Sequence, residues 1–159
     1  MQSIALSDSH LLSIRSHAEN TYPEECCGLL LGQVTGDVKT LVEVFPTKNA
    51  WSAEAEEHCP EQKVLTKQRR YAISPADMLK GMKDGRDRNL EIIGIYHSHP
   101  NSAAVPSECD RTLAWPQYSY IIVSVRQGHC EDLRSWTLDT DSNFQAEEIL
   151  IVEPTQIKK

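Results

Sequence analysis

The histidines His97 and His99 close an apolar run, Glu91-Ile92-Ile93-Gly94-Ile95-Tyr96, and Pro100 follows at once. The run is short and rich in β-branched residues, which predicts a buried strand. Residues two apart on a strand point to one face, so both imidazoles leave the same side. Pro100 restricts His99 to extended geometry. The chain must therefore build a sheet around this strand and present both rings at its carboxyl end, where α/β proteins commonly place ligands.

The residues that follow supply a third donor. Pro106-Ser107-Glu108-Cys109-Asp110 reads as a loop turning into a helix, which returns Asp110 over the strand end. Two neutral imidazoles, one carboxylate and an open position make the ligand set of a catalytic zinc site, one that activates water. Ser107-x-x-Asp110 also reads as a helix capping box, with a purely structural role for the acid. Both readings stand at this point.

The combination resembles a known family. His97-Ser98-His99-Pro100, six intervening residues, Ser107, two more and Asp110 match the JAMM signature, His-Ser/Thr-His-Pro-x6-Ser-x2-Asp, of the JAB/MPN metalloproteases. Upstream, Glu25-Cys26-Cys27-Gly28-Leu29-Leu30-Leu31-Gly32 is similar to the segment that carries the family's catalytic glutamate. The likeness runs over residues 11–136. It implies His97, His99 and Asp110 as Zn2+ ligands, Glu25 as the base that orients and deprotonates water, and Ser107 as the donor to the tetrahedral oxyanion. Glu24 is a competing acid; the spacing to Gly28 favours Glu25, as does strand alternation, which groups Glu25 with Cys27, Leu29 and Leu31. Helices alternating with strands around one sheet argue for one α/β domain over residues 1–152, and the resemblance adds that its β-sheet is mixed and curved, flanked by helices in a cytidine-deaminase-like layout.

Composition narrows the function classes. A chain of 159 residues suits one domain with a real core. A net charge of −7 argues against a general nucleic-acid binder. No apolar run approaches the roughly 20 residues needed to cross a bilayer, and no signal-peptide pattern opens the chain, so the expectation is a cytoplasmic protein with no membrane or nucleic-acid partner. The five cysteines, Cys26, Cys27, Cys59, Cys109 and Cys130, are odd in number and contain no Cys-x-x-Cys, so reduced thiols are expected. Cys109 abuts Asp110 and is read as a small inward-packing residue or a redox-sensitive neighbour of the metal. His10, His17, His58 and His129 have no spacing that asks for a catalytic role.

Periodicity predicts an amphipathic helix over residues 8–20, strands over 26–34 and 38–45 joined by a Gly36-Asp37 turn, and a helix capped by Ser74 that ends near Asp84 with Gly85 as its stop. Further strands are expected over 118–125, 133–138 and 146–152, and a frayed tail over 153–159. Residues 51–67 are polar and rich in glutamate; they read as a solvated excursion or as a flap that holds an extended substrate tail.

A single domain of this length without a second Cys/His cluster looks like the prokaryotic type of the family. The resemblance then implies a small ubiquitin-like sulfur-carrier protein as substrate, cut after its C-terminal Gly-Gly. Two glycines offer the least steric resistance beside a buried metal, and an extended tail can pair with an exposed strand edge. Two alternatives remain open: a catalytically silent MPN-type protein-binding module, and an iron enzyme of the 2-His-1-carboxylate kind.

Overall fold

The computed structural model describes residues 2–51, 71–112 and 114–153. The expectations for residues 52–67, His58, Cys59 and the tail from residue 154 onward therefore fall outside the described residues, as does the side chain of Cys109. In chain order the elements are β1 (Ser3–Leu6), α1 (Asp8–Thr21), β2 (Cys27–Thr35), β3 (Val38–Thr47), α2 (Pro75–Asp87), β4 (Glu91–Pro100), α3 (Glu108–Thr112), β5 (Ser119–Arg126), β6 (His129–Leu138) and β7 (Phe144–Ile151).

The mixed sheet closes on itself in the order β1-β3-β2-β4-β5-β6-β7. Closure depends on β1, which runs parallel to both β3 and β7, with Ser3 opposite Val38 on one side and Glu148 on the other. The sequence reading missed this four-residue strand and expected a curved sheet with an exposed edge. Every described strand has two neighbours, but β1 covers only Val38, Lys39 and Thr40 of β3, so residues 41–47 of β3 pair with β2 alone among the described residues.

The helix boundaries have local causes. Ser7 Oγ accepts the amide of His10, and His10 Nδ1 accepts the amide of Ser7, a reciprocal cap at the start of α1. His10 is thus a capping residue. Ser74 caps α2 by accepting from the Asp77 amide, with Pro75 in the first turn. The expected stop at Gly85 is displaced: α2 runs to Asp87, and the left-handed residue is Asn89, at φ 60°. The amides of Leu90 and Asn89 return to the carbonyls of Gly85 and Arg86 at 2.7 and 3.2 Å, the paired bonds of a Schellman ending. Gly85 serves this ending by closeness, since a Cβ there would lie 2.8 Å from the Leu90 carbonyl oxygen.

Leu29, Leu30 and Leu31 are all fully buried because β2 is covered on both faces. Each such side chain contributes about 1.5–3 kcal/mol of burial. Leu30 packs with Ile14 and Ala18 of α1, and with Tyr96. Leu29 and Leu31 pack with Ile95 and with the Met78 side of α2. Gly81 lets α2 approach, since its Cβ would meet Leu29 Cδ1 at 2.5 Å. Against β2, the register of β4 shifts between Leu30 and Leu31, which leaves Ile93 without a partner there. This bulge puts Ile93 in the α1 cluster and Ile95 in the α2 cluster, re-phasing the residues that follow.

Candidate metal and catalytic centre

The re-phased β4 carries His97 and His99 on the Ile95 face. His97 lies opposite Cys27 of β2 and Ile122 of β5. Because β4 and β5 are parallel, the chain must cross back between them, and that crossover carries Asp110 to the strand end. Ser124 Oγ and Trp136 Nε1 pin the crossover by donating to the carbonyls of Ser102 and Ala104.

The three expected ligand atoms converge. Nε2 of His97 and Nε2 of His99 are 3.1 Å apart. Asp110 Oδ2 lies 3.3 Å from the first and 3.2 Å from the second. Zinc bonds of about 2.0–2.1 Å in a tetrahedron require donor separations of roughly 3.3 Å, so this triangle is the right size for one ion. The tautomer fits as well. His99 Nδ1 is 2.8 Å from the Ala103 carbonyl and donates to it, which turns a bare Nε2 lone pair toward the centre.

Burial alone would raise the Asp110 carboxyl, but the two imidazoles outweigh it and hold the group well below the usual carboxylate range. Burial lowers His97 despite the nearby carboxylate. For His99, burial pulls down, yet the Asp110 hydrogen bond and charge win and raise it. Asp110 thus favours the carboxylate and His97 the neutral imidazole, whereas His99 without a cation favours its protonated form, so a bound ion would displace a proton from it.

Ser107 adjoins the triangle through the expected capping box. Its Oγ accepts the Asp110 amide at 3.0 Å, and its own amide donates to Asp110 Oδ2 at 2.9 Å. The cap bond and the approach to both imidazoles therefore meet on one oxygen of Asp110, so the cap does not exclude the ligand reading. The cap uses an oxygen lone pair of Ser107, which leaves the O–H proton for another acceptor.

Burial separates the two candidate acids. Glu24 is exposed, whereas Glu25, two residues before β2, is 6 % exposed. The Glu25 carbonyl accepts from Asn49 Nδ2 at 3.0 Å. The charges of Glu25 and Asp110 both act on Tyr71, whose phenol is pushed well up, first by burial. Tyr71 in turn stacks on His97, with ring centroids 4.3 Å apart and planes at 20°. Sequence reasoning missed Tyr71 and Asn49; no motif or period marks either, and only the tertiary fold brings them to the site.

Burial also pushes Cys26 up to about 12 and Cys27 up to about 11, so both thiols stay protonated and unreactive at neutral pH. No helix among the described residues is long and apolar enough to cross a membrane.

A single α/β domain with a closed mixed sheet, flanking helices and a His-His-Asp cluster at one strand end defines the structural class. Residues 7–139 match the family of prokaryotic homologs of the JAB domain, and the chain belongs to that family. It is 36% identical over 118 residues to the desampylase of Haloferax volcanii, covering 74% of each chain. It is 29% identical over 139 residues to the CysO-cysteine peptidase of Mycobacterium tuberculosis, covering 87% of this chain and 84% of that one. Among solved structures, a protein from Desulfitobacterium hafniense superposes with a TM-score of 0.76 at 28% identity, over 94% of this chain and 93% of that one.

Proposed function

We propose that this protein is a zinc-dependent peptidase that hydrolyses the bond after the C-terminal Gly-Gly of a small ubiquitin-like sulfur-carrier protein. The observation that carries the reading is the triangle of donors, 3.1–3.3 Å on a side, formed by His97, His99 and Asp110. The names of the two relatives, a desampylase and a CysO-cysteine peptidase, support the substrate class.

His97, His99 and Asp110 hold the ion. Once bound, zinc supplies Lewis acidity that makes water acidic near neutral pH and polarises a carbonyl. Glu25 orients the attacking water, accepts its proton and passes that proton to the leaving amine, acting first as base and then as acid. The Ser107 hydroxyl donates to the oxyanion that develops on the scissile carbonyl. No thiolate or serine nucleophile is required, in keeping with the raised thiols of Cys26 and Cys27.

The 2-His-1-carboxylate iron reading uses the same three donors. Facial positions of an octahedral ion with bonds of about 2.1 Å are roughly 3.0 Å apart, so the triangle alone does not choose between the metals. Family membership and the capped Ser107 hydroxyl favour the hydrolase, since an oxygenase has no use for an oxyanion donor. Metal analysis of untagged protein, with hydrolysis and oxygen-uptake assays side by side, tests the choice. Zinc with hydrolysis supports the proposal; iron with oxygen uptake overturns it.

A further inference from the structure

The two histidines are oriented by different means. His99 has its second ring nitrogen tied to Ala103. His97 is fully buried, and its Nδ1 meets no hydrogen-bond partner among the described residues. The terminal torsion of a histidine is soft, so a ligand ring without a second contact can tilt away from a metal. What His97 has is the nearly parallel face of Tyr71 at 4.3 Å.

Tyr71 lies in irregular backbone, and the neighbouring Ala72 is clamped on both sides of its peptide. The Ala72 amide donates to Asn49 Oδ1 at 3.1 Å, and its carbonyl accepts from the Ala50 amide at 2.8 Å. The same Asn49 oxygen accepts the Trp51 amide at 3.0 Å, while its Nδ2 holds the Glu25 carbonyl. One side chain thus joins residue 51, residue 72 and the backbone of Glu25.

We propose that Tyr71 is the positioning residue for His97, and that the Asn49 clamp sets Tyr71 in place, so that residues 51 and 71–72 are structural parts of the metal centre. The proposal rests on the reading of His97 as a metal ligand. It assigns Tyr71 a role through ring contact, which phenylalanine shares and an aliphatic side chain does not.

The test is zinc affinity, measured by competition with a chromophoric chelator and independent of turnover. Tyr71→Leu should weaken zinc by about 10–100-fold, the range seen when support for a ligand is removed, while Tyr71→Phe should stay close to wild type. Asn49→Ala should weaken zinc in the same direction. His97→Ala serves as the reference, and if it binds zinc as tightly as wild type, the ligand assignment itself is overturned. Wild-type affinity in Tyr71→Leu overturns the positioning role alone. A second reading needs no variant of uncertain folding: in the wild-type protein the His97 ring protons should be shifted upfield by the stacked ring. Their absence from the shielded region contradicts the stack.

Discussion

The Cys26 amide donates to Ser98 Oγ at 2.8 Å, and the Ser98 amide returns to the Cys26 carbonyl at 3.2 Å. Ser98 stands between His97 and His99, and Cys26 follows Glu25. The chain that carries the acid is therefore bonded to the strand that carries the imidazoles, at the residue between them. Ser98→Ala leaves the buried Cys26 N–H without its acceptor, a loss of about 1–3 kcal/mol. At roughly 2–4 °C per kcal/mol, thermal melting should resolve it. Turnover should fall while zinc content holds, and Ser98→Thr, which restores the oxygen, should recover both melting temperature and turnover.

Asp110 both caps α3 and faces the histidines, and one substitution separates the two roles. Asp110→Asn keeps an oxygen for the Ser107 amide but loses the charge. Zinc affinity should drop sharply, because three protein ligands leave no redundancy, while the melting temperature of the metal-free protein changes little. Full zinc occupancy in this variant would leave Asp110 only the cap.

Glu25→Gln keeps the shape of the side chain but cannot accept a proton. Turnover should fall by about 10²–10⁴-fold with zinc content and substrate affinity retained. Glu24→Gln, at an exposed position, should behave as wild type. The reverse pattern in the two kinetic assays would shift the base by one residue.

Ser107→Ala should slow turnover by about 10²–10³-fold as an oxyanion donor is lost. The lost cap should also cost about 0.5–2 kcal/mol in a denaturation experiment. Near-normal turnover would leave Ser107 the cap alone.

Much of this site is legible locally. The paired histidines lie on a strand whose apolar run, period and closing proline are contiguous, and Ser107 and Asp110 form a short-range box. The choice of Glu25 over Glu24 comes from the family resemblance through the spacing to Gly28, and the burial of Glu25 supports it as a proposal. What escapes sequence reading is what the tertiary fold creates. β1 has only four residues and is a strand because β3 and β7 both offer it partners. α2 runs on to Asp87 and its left-handed residue is Asn89 rather than Gly85, the glycine being needed for close approach to Leu90. Tyr71 and Asn49 are distant in sequence from the histidines and reach the centre only when the chain is folded.

His17 offers a pH dependence away from the metal. Its Nδ1 lies 2.7 Å from the Tyr96 hydroxyl, and burial lowers it from the ordinary value of 6.5. A base lowered on folding binds fewer protons folded than unfolded, so its contribution is present above 6.5 and is lost as pH falls from there through the folded value. His17→Gln keeps an acceptor for Tyr96 but does not titrate. Melting temperatures of the metal-free proteins should diverge between neutral pH and pH 5, with wild type losing more stability on acidification.

The central claim is hydrolysis after Gly-Gly of a ubiquitin-like carrier, and intact mass reads it most directly. Carriers ending in Gly-Gly plus one further residue are incubated with the enzyme, with chelator-treated enzyme and with Glu25→Gln. The expected result is a single mass loss equal to the residue beyond the second glycine, only with untreated wild type, and no cleavage when that glycine is replaced by valine. Equal cleavage of Gly-Gly and Gly-Val carriers, or an unchanged mass for every ubiquitin-like carrier alongside hydrolysis of unrelated short peptides, would contradict it.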